Sequence, residues 1–316
     1  MQYLFLASAV IMFSVYGMVS AVYSRRADNR LFLYLAFVAL GVALFFLAYN
    51  RFAFVFDWPT AAYSLLFGAA FLSAVLFMVK AQKIGNVAIT ALVINLSMFL
   101  PTLFGIFAYD GTVGGFFFIG IALLAGAVVL FNLPGKAKTE SVSGFSDTAP
   151  PQTLAAGRAE AAANIRQGRK RNRLLWAAFT FTAFTANGAC GIFQMIQQKT
   201  RGGAFKAEFM IAASAVVFLA AAAALLFGRA KIGRAALKVN APFGAAAGIL
   251  TAATNLFVML LVSGGALPLG VIYPLIAAGG LAVAYIVSMA VFREKMPFLK
   301  HIAFLLGVVS IVFFNL

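Results

Sequence analysis

The chain has 316 residues, 64% of them hydrophobic and 10% charged, with a mean hydropathy of +1.00. A soluble domain carries about 25% charged residues, so this much apolar surface points to lipid as the solvent. The excess of 24 Lys plus Arg over 8 Asp plus Glu does not indicate a nucleic-acid partner, because the charge lies between apolar runs and not on one folded face.

A spanning helix needs about 20 apolar residues. Ten runs qualify: 3–23, 31–49, 60–79, 86–109, 114–133, 174–196, 207–228, 242–263, 267–291 and 299–315. The first reads as an uncleaved span and not a signal peptide. "MQYLFLASAV" has no positive charge before its apolar core, and the charge follows in "YSRRADNR". Tyr16, Ser20 and Tyr23 share one face of this span. Span 4 carries Asn95 and Thr102 beside Pro101.

Residues 134–173 form the one long connection, "PGKAKTESVSGFSDTAPPQTLAAGRAEAAANIRQGRKRNR". Its first part reads as a flexible linker. The alanine-rich stretch from Thr153 to Gln167 is expected to form a helix on the membrane surface, and "RQGRKRNR" to rest beside anionic lipid.

Span 6 reads "TANGACGIFQMIQQKT". Asn187, Gly191, Gln194 and Gln198 recur at i, i+4, i+7 and i+11 and share a helix face. Small and amide side chains also serve plain helix packing in lipid, but four aligned positions exceed what one helix contact needs. Span 8 presents Gly248, Thr251 and Asn255 on one face. Span 9 holds "VIYPLIAAGG", Val271 to Gly280. Pro274 lacks an N–H and frees the carbonyl near Gly270, while Gly279 and Gly280 allow a neighbour to approach closely. A substrate-binding interruption and a plain packing kink both fit that pattern.

The linker divides the spans into residues 1–133 and 174–316, five in each. "GAAFLSAVLF" from Gly68 and "GILTAATNLF" from Gly248 match in glycine and Leu-Phe spacing, 180 residues apart; Asp110 and Glu294 close spans 4 and 9. Five is odd, so the second half crosses in the opposite sense, and related halves make an inverted repeat, an architecture of secondary transporters. Lys and Arg favour the cytoplasmic side. With both termini outside, all of the 24 except Arg51, Lys199, Arg201 and Lys206 fall inside. The expected location is the cytoplasmic membrane of a cell, N-out and C-out.

No acid, Lys or Arg lies mid-span. Such residues cost about 2.5–3.5 kcal/mol at a helix centre and usually mark ion or proton relays. A coupling carboxylate is therefore not evident, and a phosphate-bearing substrate is disfavoured. The chain lacks GxSxG, HExxH and Walker motifs. Cys190 is the single cysteine and His301 the single histidine, so no enzyme activity, cofactor or metal site is expected.

Five plus five spans, proline and small residues in span 9, "FREK" closing that span and the terminal "GVVSIVFFNL" resemble the drug/metabolite transporter superfamily, EamA-type. "NGACGIFQMIQQKT" with "KAEFM", "NLFVMLL" and "PLIAAGG" is similar to a poorly characterised bacterial group within it. The resemblance implies an all-α inverted-repeat carrier whose central cavity is lined by spans 1, 3, 4, 6, 8 and 9. The charge count departs from the N-in orientation usual among relatives, and the long linker is atypical. Small multidrug relatives use a glutamate in span 1, which is absent here, so their proton mechanism does not carry over.

The resulting expectation is an all-α membrane protein with ten spans, a carrier for a small neutral, zwitterionic or amphipathic metabolite. Its partners are that substrate and anionic lipid at the linker, with no nucleic acid, and a homodimer is compatible with the pattern. The cavity set is Tyr16, Asn95, Asn187, Gln194, Thr251, Asn255, Tyr273 and Pro274. Gln198, Lys199 and Glu208 form a gate on the outer side, with Glu208 paired to Lys199 or Lys206. The alternative is a non-transporting membrane scaffold or receptor-like subunit.

Overall fold

The computed structural model describes residues 1–24, 30–84, 87–109, 114–132, 154–228, 232–265, 267–290 and 298–314. The first part of the linker, the "FREK" segment and the Asp110 and Glu294 markers lie outside these residues. Among the described residues the chain is helical, with no strand: α1 Gln2–Ser24, α2 Leu31–Tyr49, α3 Trp58–Ile84, α4 Val87–Leu96, α5 Phe99–Ala108, α6 Gly115–Asn132, α7 Leu154–Thr200, α8 Lys206–Phe227, α9 Arg234–Gly264, α10 Leu269–Ala290 and α11 Phe298–Phe314. Five of them, α1, α2, α3, α8 and α9, are long and apolar enough to cross a membrane. This is an all-α membrane protein. In lipid every backbone polar group needs an internal partner, and helices supply it.

Over their described residues all ten apolar runs are mainly helical, with two differences from expectation. The alanine-rich stretch forms no separate helix; it continues into span 6 as one 47-residue helix, α7. Strong helix formers and the absence of proline between Leu154 and Thr200 allow this. The second difference concerns the break. Pro274 sits inside an unbroken α10, only five residues after its start, so little helix precedes it to swing away. The interruption instead falls in span 4, at Ser97–Met98 between α4 and α5. Pro101 is the cause. A proline removes the bond to the carbonyl four residues back and its ring clashes there, and four back from Pro101 is Ser97. Local partners then settle the freed groups: Ser97 N reaches Ile94 O at 3.0 Å and Leu100 N reaches Ser97 O at 3.0 Å.

Neighbouring helices close a circuit: α1, α9, α2, α8, α3, α7, the α4–α5 pair, α10 and back to α1. Outside it α6 and α11 pack on each other, α6 also touching α4 and α10, and α11 touching α10. Hydrophobic association is weak between helices in lipid, so close packing and buried polar bonds hold them together. Gly248 on α9 touches α2 at Val38 O and Gly41, and a Cβ on Gly68 of α3 would stand 2.8 Å from Ala213 O of α8. Any larger residue would push these helices apart. Gly279 and Gly280 of α10 likewise admit Val10 and Phe13 of α1.

Candidate functional site

The polar face of α7 meets three helices inside the circuit. Asn187 Nδ2 donates to Ser97 Oγ at 2.7 Å, and Ser97 Oγ donates to Ile94 O at 2.6 Å. One turn along, Tyr273 Oη of α10 donates to Gly191 O at 3.1 Å. Gly191 has no side chain because Pro101 of α5 lies against it; a Cβ there would sit 2.8 Å from the proline Cγ. Further along, Gln194 Nε2 donates to Asn255 Oδ1 at 3.1 Å and Asn255 O at 3.2 Å on α9. Asn255 Nδ2 in turn donates to Thr251 O at 2.8 Å. Gln194 is 3% exposed, whereas Asn187 and Asn255 are half-buried. An unpaired amide in such surroundings costs about 1–3 kcal/mol by protein mutational measures, and these bonds remove most of that cost.

The structure therefore gathers Asn187, Gln194, Asn255 and Tyr273. The other expected cavity residues stand apart. Tyr16 packs in the α1–α2–α9 cluster with Tyr23, Tyr34 and Phe243, while Tyr273 lies in another cluster with Met195, Leu261 and Ile272. The two tyrosines therefore lie in separate clusters and do not line one site together. Thr251 lines a small cavity of about 20 Å³ with Val38, Val42, Phe67, Met210 and Ser214. That is room for about one water, and Thr251 Oγ1 has no protein partner there. Asn95 is half-buried in α4 and bonds to none of the four gathered residues. Pro274 is buried within α10. A larger apolar groove of about 450 Å³ runs between α2 and α9 over Phe37, Leu40, Leu44 and Ile249. It takes in none of the expected site residues.

The expected gate residues sit at the end of α7 and the start of α8. Gln198 is buried and bonds Gln197, while Lys199 is exposed. Glu208 does not pair with a lysine. It is 8% exposed and accepts from Asn50 Nδ2 at 3.0 Å; Lys206 Nζ donates to Gly203 O instead. Glu208 thus meets the residue that follows α2 from the first turn of α8, and Lys199 stays exposed at the end of α7. The ion pair at this end is Arg201–Asp57. Asp57 Oδ2 also accepts from Thr60 N at 3.0 Å, capping α3. The Thr60 hydroxyl holds the Asp57 carboxyl below the usual carboxylate range, with the Thr60 N–H and the Arg201 guanidinium acting in the same direction.

Sequence reasoning missed Ser97, Thr60, Asn50 and the Asp57–Arg201 pair. Ser97 carried a readable signal, since it stands four residues before Pro101. The others depend on which helix ends meet, and no spacing along the chain encodes that.

No protein-family model and no curated protein matches the chain. A solved structure described as "Crystal structure of protein" matches with a TM-score of 0.66 at 14% identity, over 100% of this chain and 98% of that one. At such identity the likeness is one of fold, and the chain shares its whole helical fold with that protein.

Proposed function

We propose that the chain is a secondary carrier working by alternating access, with ten spans in two inverted halves joined by a basic cytosolic linker. The observation that carries the reading is a set of contacts that recur when the halves are exchanged. Shifts of 174, 175 and 180 residues take α1 to α7, α2 to α8 and α3 to α9. Under them the Phe5–Phe257 ring pair, centroids 6.0 Å apart, becomes Phe179–Phe77 at 5.6 Å. The Tyr23–Asn240 hydrogen bond of 2.7 Å becomes Gln197–Thr60, a longer one of 3.4 Å. Gly248 against Val38 and Gly41 becomes Gly68 against Ala213 and Val216. Helix neighbours exchange in the same way: α1 with α9 answers α7 with α3, and α2 with α9 answers α8 with α3. An odd number of spans per half turns such a repeat upside down in the membrane, the relation that lets one structure open to either side.

The substrate class is a small neutral, zwitterionic or amphipathic metabolite. Asn187, Gln194, Asn255 and Tyr273 put polar atoms, and no formal charge, within an apolar circuit. The distribution of Lys and Arg supports termini outside and a cytosolic linker against anionic lipid of the cytoplasmic membrane. One observation favours the scaffold alternative: the amides bond to one another and to Ser97, as they would in dry helix packing. Uptake and efflux of a metabolite panel in proteoliposomes separates the two. Saturable flux that Asn187→Leu and Asn255→Leu abolish at normal expression supports the carrier. A panel with no saturable flux, from protein that is folded and correctly inserted, refutes it.

A further inference from the structure

Two of the helices long and apolar enough to cross a membrane, α2 and α3, are joined by an unusual connection. It reads Asn50, Arg51, then five apolar residues from Phe52 to Phe56, then Asp57. All five are exposed, Phe52 by 73%. Tyr49 at the end of α2 and Trp58 at the start of α3 are exposed as well. Phe54, Val55 and Phe56 follow one another directly, so the segment has no polar side to turn outward. Contiguous exposed apolar surface of this kind marks an interaction site.

The segment is held in shape at both feet. α2 closes in a Schellman motif, with Phe52 N reaching Leu47 O at 2.7 Å and Arg51 N reaching Ala48 O at 3.1 Å. Such a stop needs a left-handed residue, for which glycine is the unstrained choice. α7 ends the same way and uses Gly202, φ 58. α2 instead puts Arg51 at φ 50 and Phe52 at φ 60. Asn50 Nδ2 donates to Ala53 O at 2.6 Å and to Glu208 at 3.0 Å. At the other foot Asp57 pairs with Arg201 and caps α3 at Thr60 N. Polar contacts thus fix both feet to the α7–α8 end, and between them everything but Arg51 is apolar.

We infer that this connection is a lipid anchor, seating its aromatic side chains at the boundary between headgroups and acyl chains. The exposed side of α3 runs through Trp58, Ala62 and Leu65, and that of α2 through Leu40, Leu44 and Ala48, each at helical spacing. On membrane-crossing helices such stripes face acyl chains, and the segment prolongs both at the same end. Its backbone fixes the depth. The backbone groups of Phe54, Val55 and Phe56 find no partner among the described residues. Lipid-exposed loops with unpaired backbone do not occur within hydrocarbon, so water must reach these groups. Bulky apolar side chains on a wetted backbone fit the boundary and neither phase beside it. Trp and Tyr, which flank the segment, concentrate at that level, and the exposed Arg51 suits headgroup phosphate. The inference rests on the membrane character of the chain and is independent of the carrier reading.

The test places one indole in the segment. Phe54→Trp, and separately Phe56→Trp, are made in the full chain together with Trp58→Phe and Trp176→Phe, which remove the native tryptophans. Each is reconstituted into phosphatidylcholine vesicles, and the two probes are read independently so that a folding defect in one leaves the other. Lipid brominated beside the headgroup should quench about half of the emission, and lipid brominated at the chain ends much less, as for a group about 5–10 Å into the boundary. Acrylamide, neutral and added on both sides of the bilayer, should quench far less than in the denatured chain. Quenching by acrylamide with none from either lipid would put the segment in water. Protection from all three would put it against a second copy of the chain. Stronger quenching from the chain ends would put it in hydrocarbon. Any of these three results overturns the inference.

Discussion

Tyr23 of α1 donates to Asn240 of α9 at 2.7 Å, and at positions related by the half-chain shifts Gln197 of α7 donates to Thr60 of α3 at 3.4 Å. Side-chain chemistry differs within each pair, phenol to amide in one and amide to hydroxyl in the other, but the two bonds fall at corresponding positions under those shifts. Each joins the end of one helix to the start of another. Asn240 Oδ1 also accepts from Arg30 N at 3.0 Å, and Gln197 Nε2 also donates to Ala204 O at 3.1 Å, so each pair also holds a backbone group just before the next helix. Arg30 precedes α2 and Phe205 precedes α8, again 175 residues apart. Tyr23→Phe and Thr60→Val should both lower the unfolding midpoint in detergent, by an amount equivalent to about 0.5–1.5 kcal/mol each.

Glycine contacts give a sharper contrast. Gly248 and Gly68 lie against backbone carbonyls of the facing helix, which cannot yield as a side-chain tip can. Gly248→Ala and Gly68→Ala should each destabilise by about 1–3 kcal/mol. Gly17→Ala, with nothing within 4 Å of the added carbon, should be neutral or slightly stabilising through helix propensity. Equal loss in all three variants would argue against the packing account.

The two prolines should separate in the same manner. Pro101→Ala restores an N–H able to reach Ser97 O and so favours one continuous helix through the present break. Slower hydrogen exchange at Ser97 and Met98 is the expected sign, together with loss of flux as Ser97 leaves Asn187. Pro274→Ala lies in a helix already unbroken and should leave exchange across α10 nearly unchanged.

Acid should loosen the Asp57 end. The Asp57 carboxyl is held below its ordinary range by Thr60 and Arg201, so ionisation favours the folded arrangement. Its contribution is complete above the unfolded value of about 3.9 and is lost as pH falls through the lower folded value. A stability profile below about pH 4 should therefore flatten in Asp57→Asn relative to the parent. An unchanged slope would show that the pair is screened by solvent, as exposed pairs often are.

Orientation is open to a direct experiment. A cytosol-active reporter fused after Leu316 should be silent, and the same reporter within the linker near Ser146 should be active. The opposite pattern would reverse the assignment while leaving the fold intact.

The amino-acid sequence alone determined that the chain is helical and lives in lipid, and it found the apolar part of each helix, because apolar length and the need to pair backbone groups inside a membrane are local constraints; it did not find the 20-residue extension of α7 before its apolar part or the break in span 4. It also determined which α7 positions share a face, since a helix turns at a fixed angle per residue. Tertiary structure decided what those faces meet. It set Thr251 at a small cavity, left Tyr16 away from Tyr273, gave Glu208 to Asn50 and brought the unremarked Ser97 to Asn187. It also decided which proline breaks its helix, Pro101 with a helix before it to bend and local partners for the freed groups, and not Pro274 near a helix start. Side-chain pairing across helices depends on depth, rotation and the neighbour chosen, and those are properties of the assembled bundle that no single run of residues contains.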